Sequence, residues 1–148
     1  MSNIYNTKFL VVDDFATTRK IVLNLLYEMG FNNVIQAGDG ATAFQLLTEQ
    51  YNNNEPVGFI ISDWNMPDMT GIDFLKKCRK EKQFRDLPFL MLTVESDAEK
   101  VFEAKVAGTT DYLLKPFDQE MLKSKISSYL SPPEKIDFLK AGITKKLR

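Results

Sequence analysis

Four short apolar runs, each stopping abruptly on a polar residue, constrain this chain more than anything else in it. The run from Val57 to Ile61 leads into Ser62-Asp63, and Phe9-Leu10-Val11-Val12 leads into Asp13-Asp14. Phe89-Leu90-Met91-Leu92 leads into Thr93, and Tyr112-Leu113-Leu114 into Lys115-Pro116-Phe117. A short apolar run bounded by turn signals fits a buried parallel strand. In an open α/β sheet, ligands bind outside the carboxyl ends of such strands. If the four are parallel neighbours, their ends converge on one cleft holding three Asp carboxylates, a hydroxyl and a Lys. Carboxylates packed that closely repel and raise one another's pKa. A divalent cation relieves the repulsion. Hard oxygen ligands with few protein contacts suit Mg²⁺, which keeps several waters and shares its shell with phosphate oxygens.

Between the strands the apolar spacing turns helical. Strand 1 spans about residues 8–12 and helix 1 about 16–29, with Ile21, Val22, Leu25, Leu26 and Met29 expected on one buried face and Gly30 closing it. Strand 2 is expected at 33–36, with Asp39 capping helix 2 over 40–50. Strand 3 covers 57–61, and Thr70 caps helix 3 over 72–82. Strand 4 covers 89–92, and Ser96 with Glu99 makes a capping-box pattern opening helix 4 over 97–107, which Gly108 closes. Strand 5 covers 111–114, and Asp118 caps helix 5 over 119–130. Strict β–α alternation implies an α/β fold, a single doubly wound (βα)5 parallel sheet with right-handed crossovers and helices on both faces.

The 148 residues are expected to form one domain, about 1–130, followed by an extension, 131–148, helical or flexible. Pro132-Pro133 stop helix 5. Beyond them Ile136, Leu139, Ile143 and Leu147 recur at helical spacing, in a segment with five basic and two acidic residues. A solvated or body-docked helix and a partner-binding segment are both open for it. A net charge of −1 implies no nucleic-acid partner. The single Cys78 excludes an internal disulfide and fits a reducing compartment. No apolar run approaches the roughly 18 residues of a membrane span, and the amino terminus lacks a signal-peptide pattern, so a cytoplasmic location is expected. There is no His, so no phosphohistidine donor lies within the chain.

Asp13-Asp14, Ser62-Asp63-Trp64-Asn65-Met66-Pro67, Thr93 and Lys115-Pro116-Phe117, in this order and spacing, resemble the receiver domain of two-component signalling. More narrowly, they resemble the CheY-type chemotaxis response regulators, from about Lys8 to about Leu130. The resemblance implies the flavodoxin-like strand order 2-1-3-4-5. It implies Asp63 as phosphoacceptor from a CheA-like sensor histidine kinase or a small donor such as acetyl phosphate, with self-dephosphorylation. Asp14 would ligate Mg²⁺ directly and Asp13 through water, alongside Asp63 and the Asn65 backbone carbonyl. Lys115 would neutralise the phosphoryl oxygens, and Thr93 would donate its hydroxyl and draw its loop inward, letting Tyr112 turn from exposed to buried. The family has a cis Lys-Pro bond at 115–116.

The same resemblance implies a partner face of Val101, Tyr112, Leu114 and Lys125, which in the family binds the flagellar motor switch protein FliM. Asn65 and Glu95 would tune access of the hydrolytic water. A phosphatase is a further expected partner, and the chain is expected to be a monomeric signalling switch rather than an enzyme acting on other molecules. Val94 departs from the smaller residue usual after Thr93. Trp64 and Met66 are expected to flank the site, as kinase contacts or plain loop side chains. Two other readings compete. One is a phosphate sink or relay intermediate without motor contact. The other is a nucleotide- or flavin-binding domain, because Gly38-Asp39-Gly40-Ala41-Thr42-Ala43 has the dinucleotide spacing with Asp63 about 20 residues on. Paired carboxylates at the first strand end, which would repel a pyrophosphate, argue against the latter.

Overall fold

The structure, a computed structural model, describes residues 3–130. The expected extension at 131–148 lies outside the described residues. Strands β1 (Phe9–Val12), β2 (Val34–Ala37), β3 (Phe59–Asp63), β4 (Phe89–Thr93) and β5 (Asp111–Leu114) form one parallel sheet in the order β2-β1-β3-β4-β5. Helices α1 (Ala16–Glu28), α2 (Gly40–Asn52), α3 (Gly71–Lys80), α4 (Ala98–Ala107) and α5 (Gln119–Tyr129) cross over between them. The doubly wound fold and its strand order are as expected.

Burial explains why the strand runs are apolar without alternation. Every residue of β1, β3 and β4 is buried, because both sheet faces are covered. Leu10, Val12, Ile60, Phe89 and Met91 pack against Leu47, Phe74 and Leu75 of α2 and α3. Phe9, Val11, Phe59, Ile61 and Leu90 pack against Val22 and Leu26 of α1 and Leu122 and Ile126 of α5. Side chains of successive strand residues thus feed alternate layers.

Local chemistry sets the helix ends. Asp39 and Asp118 cap their helices, accepting from the Thr42 and Met121 backbone N–H at 2.7 and 2.9 Å. Thr70 and Asp73 complete a reciprocal capping box on α3. Gly30 and Gly108 sit at φ 99° and 102°, the left-handed conformation that ends α1 and α4. Three expectations are corrected. The α4 cap is Asp97, which accepts from the Lys100 N–H at 2.9 Å; the Ser96–Glu99 box is one residue out of register. Ile21 is 53% exposed and turned off the core, while Leu23 is packed against it, so the buried stripe of α1 runs through Val22 and Leu26. Strand β3 begins at Phe59 and reaches Asp63, so the acidic residue ends the strand rather than following it. Among the described residues no helix is long and apolar enough to cross a membrane.

Candidate functional site

Strand register assembles the site. Val12 pairs with Ser62 across β1 and β3, so Asp13 and Asp63 leave neighbouring strands side by side, with Asp14 next in chain. Each of these three carboxylates offers an oxygen within 4.8 Å of the others. Asp13 is 2% and Asp63 6% exposed. Lys115 arrives from the end of β5, where its backbone N–H donates to the Thr93 carbonyl at 2.8 Å. Its Nζ lies 2.8 Å from Asp63 Oδ1 and 3.7 Å from Asp13 Oδ2. The Lys115–Pro116 peptide is cis, matching the resemblance.

One ammonium against three carboxylates leaves negative charge unbalanced. Among the described residues, Asp13 Oδ2 and Asp14 Oδ1 are buried without a hydrogen-bond donor. A buried acceptor left unmade costs about 1–3 kcal/mol. Burial holds the Asp13 carboxyl above its ordinary range; the Phe15 N–H, donating to Oδ1 at 2.9 Å, opposes this, and the neighbouring Asp63 charge adds to it. Two orphaned carboxylate oxygens facing a third carboxylate form a hard-oxygen set that fits a small divalent cation.

Two further residues hold this geometry. The Gly71 N–H donates to the Trp64 carbonyl at 2.8 Å, folding the loop after β3 back under the site. A Cβ at Gly71 would stand 2.2 Å from the Asp63 carbonyl oxygen, so only glycine fits that approach. On α1, Arg19 donates through Nη1 to the Asp13 carbonyl at 2.6 Å and through Nε to Gln36 Oε1 at 2.8 Å. It pins the carbonyl of the residue whose side chain faces the site. Sequence reading passes over both: Gly71 reads as turn punctuation, and nothing in the sequence singles out Arg19.

The other expected residues are placed as follows. Thr93 is buried at the end of β4, and its Oγ accepts from the Glu95 N–H at 2.8 Å, leaving the hydroxyl proton free to donate. Asn65 is exposed, and Val94 is 61% exposed just past Thr93. Trp64 and Met66 are 7% and 6% exposed and belong to the core on the α2–α3 side. Lys100 Nζ lies 5.7 Å from the Trp64 ring centroid. Tyr112 and Val101 are half-buried, Leu114 is exposed, and Lys125 Nζ pairs with Asp111 Oδ1 at 3.0 Å. The glycine-rich stretch after β2 is a helix start: Asp39 caps α2, and a Cβ at Gly40 would stand 2.7 Å from Met69 Sδ. Packing against Met69 explains that glycine without a dinucleotide.

Comparison with known proteins agrees with this geometry. Residues 9–127 match the response regulator receiver domain family. Chemotaxis protein CheY-3 of Vibrio cholerae is 46% identical over 121 residues, covering 82% of this chain and 89% of that protein. Chemotaxis protein CheY of Pseudomonas aeruginosa is 44% identical over 119 residues, covering 80% and 92%. The crystal structure of Vibrio cholerae CheY4 superposes with a TM-score of 0.74 at 39% identity, over 84% of this chain and 98% of that one. With a strand order, an aspartate cluster and a lysine shared by fold and sequence alike, this chain belongs to the response regulator receiver domain family, a family of signalling switches.

Proposed function

We propose that this chain is a phosphorylation-activated response regulator of chemotaxis, taking a phosphoryl group on Asp63 from a histidine kinase in the presence of Mg²⁺. The observation that carries the reading is the setting of Asp63: a nearly buried carboxylate, 2.8 Å from Lys115 and grouped with Asp13 and Asp14, each of which has a buried oxygen without a donor. A carboxylate oxygen of Asp63 attacks phosphorus in line. The O–P bond forms as the P–N bond of a phosphohistidine breaks, and the electron pair leaves on the imidazole. Such transfer needs positioning and charge neutralisation more than covalent help from the protein. Lys115 faces the phosphoryl oxygens, and the free Thr93 proton is donated to one of them. Asp13, Asp14, Asp63 and the Asn65 carbonyl would hold Mg²⁺, which when bound supplies further positive charge to those oxygens.

Reset follows when water attacks phosphorus and Asp63 leaves as carboxylate; Asn65 and Glu95 flank that approach. Thr93 also holds the Glu95 N–H, so drawing the hydroxyl inward moves the β4–α4 loop and makes room for Tyr112. The output face is Val101, Tyr112, Leu114 and Lys125, and its partner a FliM-like motor switch protein, as the chemotaxis relatives support.

Trp64 adjoins Asp63 and is the only tryptophan, so its fluorescence tests the reading. Mg²⁺ followed by beryllofluoride or acetyl phosphate is expected to quench it, and Asp63→Asn to lose the phosphoryl-dependent part. No response to metal or phosphoryl mimic would overturn the proposal. Binding of a FliM amino-terminal peptide to the activated chain then separates motor signalling from a phosphate sink.

A further inference from the structure

The surface between α3 and α4 carries a feature that phosphoryl chemistry leaves unused. A cleft of about 510 Å³ lies there, walled by Lys76, Arg79 and Lys80 on α3 and by Glu99, Phe102, Glu103 and Val106 on α4. Phe102 is 68% and Val106 70% exposed, one helical turn apart on the same face. Two large apolar side chains held side by side in water mark an interaction surface more often than scattered singles do. The walls are fixed rather than loose. Arg79 Nε donates to the Gly108 carbonyl at 2.8 Å and Nη1 to the Phe84 carbonyl at 2.9 Å, strapping the end of α4 to α3.

Charge says what fits. Between Gly71 and Asp86 stand six basic and three acidic residues, in a chain whose net charge is −1. Among the described residues, Lys76 and Lys80 enter no ion pair, whereas Glu103 on the facing wall is already met by Lys100 at 3.8 Å. Three basic side chains on the α3 wall thus face Glu99 and an already paired Glu103, so the balance at the rim is positive. The same lysines continue onto a second exposed depression along α3, where Lys77 joins them beside Asp73 and Glu81.

We infer that the α3–α4 cleft docks an acidic amphipathic segment of a partner protein, its apolar side on Phe102 and Val106 and its carboxylates on Lys76 and Lys80. Opposite charge orders the approach and apolar burial supplies the hold. The site uses the edge of α4 away from β5, so it leaves Tyr112 and Lys125 free. It does not depend on phosphorylation and is tested without Mg²⁺.

The probe is a designed helical peptide with leucines at i, i+3, i+4 and i+7 flanked by glutamates, beside a twin with lysines in their place. Each is titrated into the full ¹⁵N-labelled chain. The acidic peptide is expected to bind and shift the amides of 76–80 and 102–107, with affinity falling as salt rises. Phe102→Ala with Val106→Ala should weaken it about tenfold or more, and Lys76→Glu with Lys80→Glu should reverse the preference toward the basic twin. All four positions are exposed, and unchanged thermal unfolding of the variants checks that they fold. Equal binding of both twins, shifts confined to β5 and α5, or no binding at millimolar peptide would overturn the inference. So would sedimentation showing a dimer that Phe102→Ala abolishes, because a second copy would then be the occupant.

Discussion

The two ends of β1 hold buried charge in opposite ways. At the amino end, Lys8 is 9% exposed, yet its ammonium donates to the Gln50 side-chain oxygen and lies 3.7 Å from Glu55 Oε2. At the carboxyl end, Asp13 is more deeply buried, and its Oδ2, though 3.7 Å from Lys115 Nζ, accepts no hydrogen bond. The first arrangement is closed by the protein itself. The second is left open on the side where its neighbours are also carboxylates. Buried charges cost stability unless fully paired, so the carboxyl end has the chemistry to take a cation and the amino end does not.

The sharpest way to break this contrast is at Gly71. Gly71→Ala places a methyl against the Asp63 backbone, with no flexible side chain to yield. It is expected to cost about 3 kcal/mol or more in chemical denaturation, toward the upper end of overpacking, and to abolish stabilisation by Mg²⁺. A cost under about 1 kcal/mol would mean that the loop has room.

Next comes a pair of opposite signs. Asp13→Asn removes a carboxylate whose ionisation burial opposes. In metal-free buffer at neutral pH it is expected to stabilise the fold by about 1–2 kcal/mol. The sign follows from the raised carboxyl. Wild-type stability falls as pH climbs from the unfolded value, 3.8, through the higher folded one, so the gain of the Asn variant is full above that window and vanishes below it. If Mg²⁺ binds as proposed, a hundredfold excess over its Kd is expected to stabilise the wild type by about 2.7 kcal/mol, and the same variant should lose most of that. Lys8→Met should instead destabilise by about 1 kcal/mol, modestly because Glu55 is largely solvated. Destabilisation by both variants in thermal melts without metal would erase the distinction between the two ends.

The smallest effect separates position from charge. Arg19→Ala frees the Asp13 carbonyl without touching a carboxylate. It is expected to cost about 1 kcal/mol of stability and to weaken Mg²⁺ binding severalfold, measured by Trp64 fluorescence. Unchanged metal affinity would show that the loop holds its shape without the arginine.

What sequence reading could see divides along the same line. Strand ends are legible because fully buried parallel strands leave an unbroken apolar run, and the first polar residue after it stands out. Asp13, Asp63, Thr93 and Lys115 stand out that way, and parallel register sets their strand ends side by side. Less legible were contacts made by the backbone. Gly71 matters for a missing Cβ and Arg19 for a carbonyl it reaches across the sheet's rim, and neither leaves a periodic trace. The one-residue error at Asp97 has a related cause. Ser96 and Asp97 are both good caps, and only the backbone decides which one turns. Ile21 read as core because five apolar residues of α1 compete for a stripe narrower than they are. Trp64 looked like a surface aromatic because the loop around it is polar, whereas its ring packs inward.

The Arg79 strap also sets how the molecule breathes. Hydrogen exchange opens a protein in cooperative units whose free energies follow local bonding. Helix α4 is fastened at its carboxyl end through Gly108, while at the other end Asp97 caps an exposed turn. Its amides should therefore exchange along a gradient, fast over 98–101 and slow toward Ala107, with α3 and the end of α4 opening together. A helix strapped at one end and held only by its own cap at the other is expected to open from the capped end first, with the Arg79 contact the last to yield.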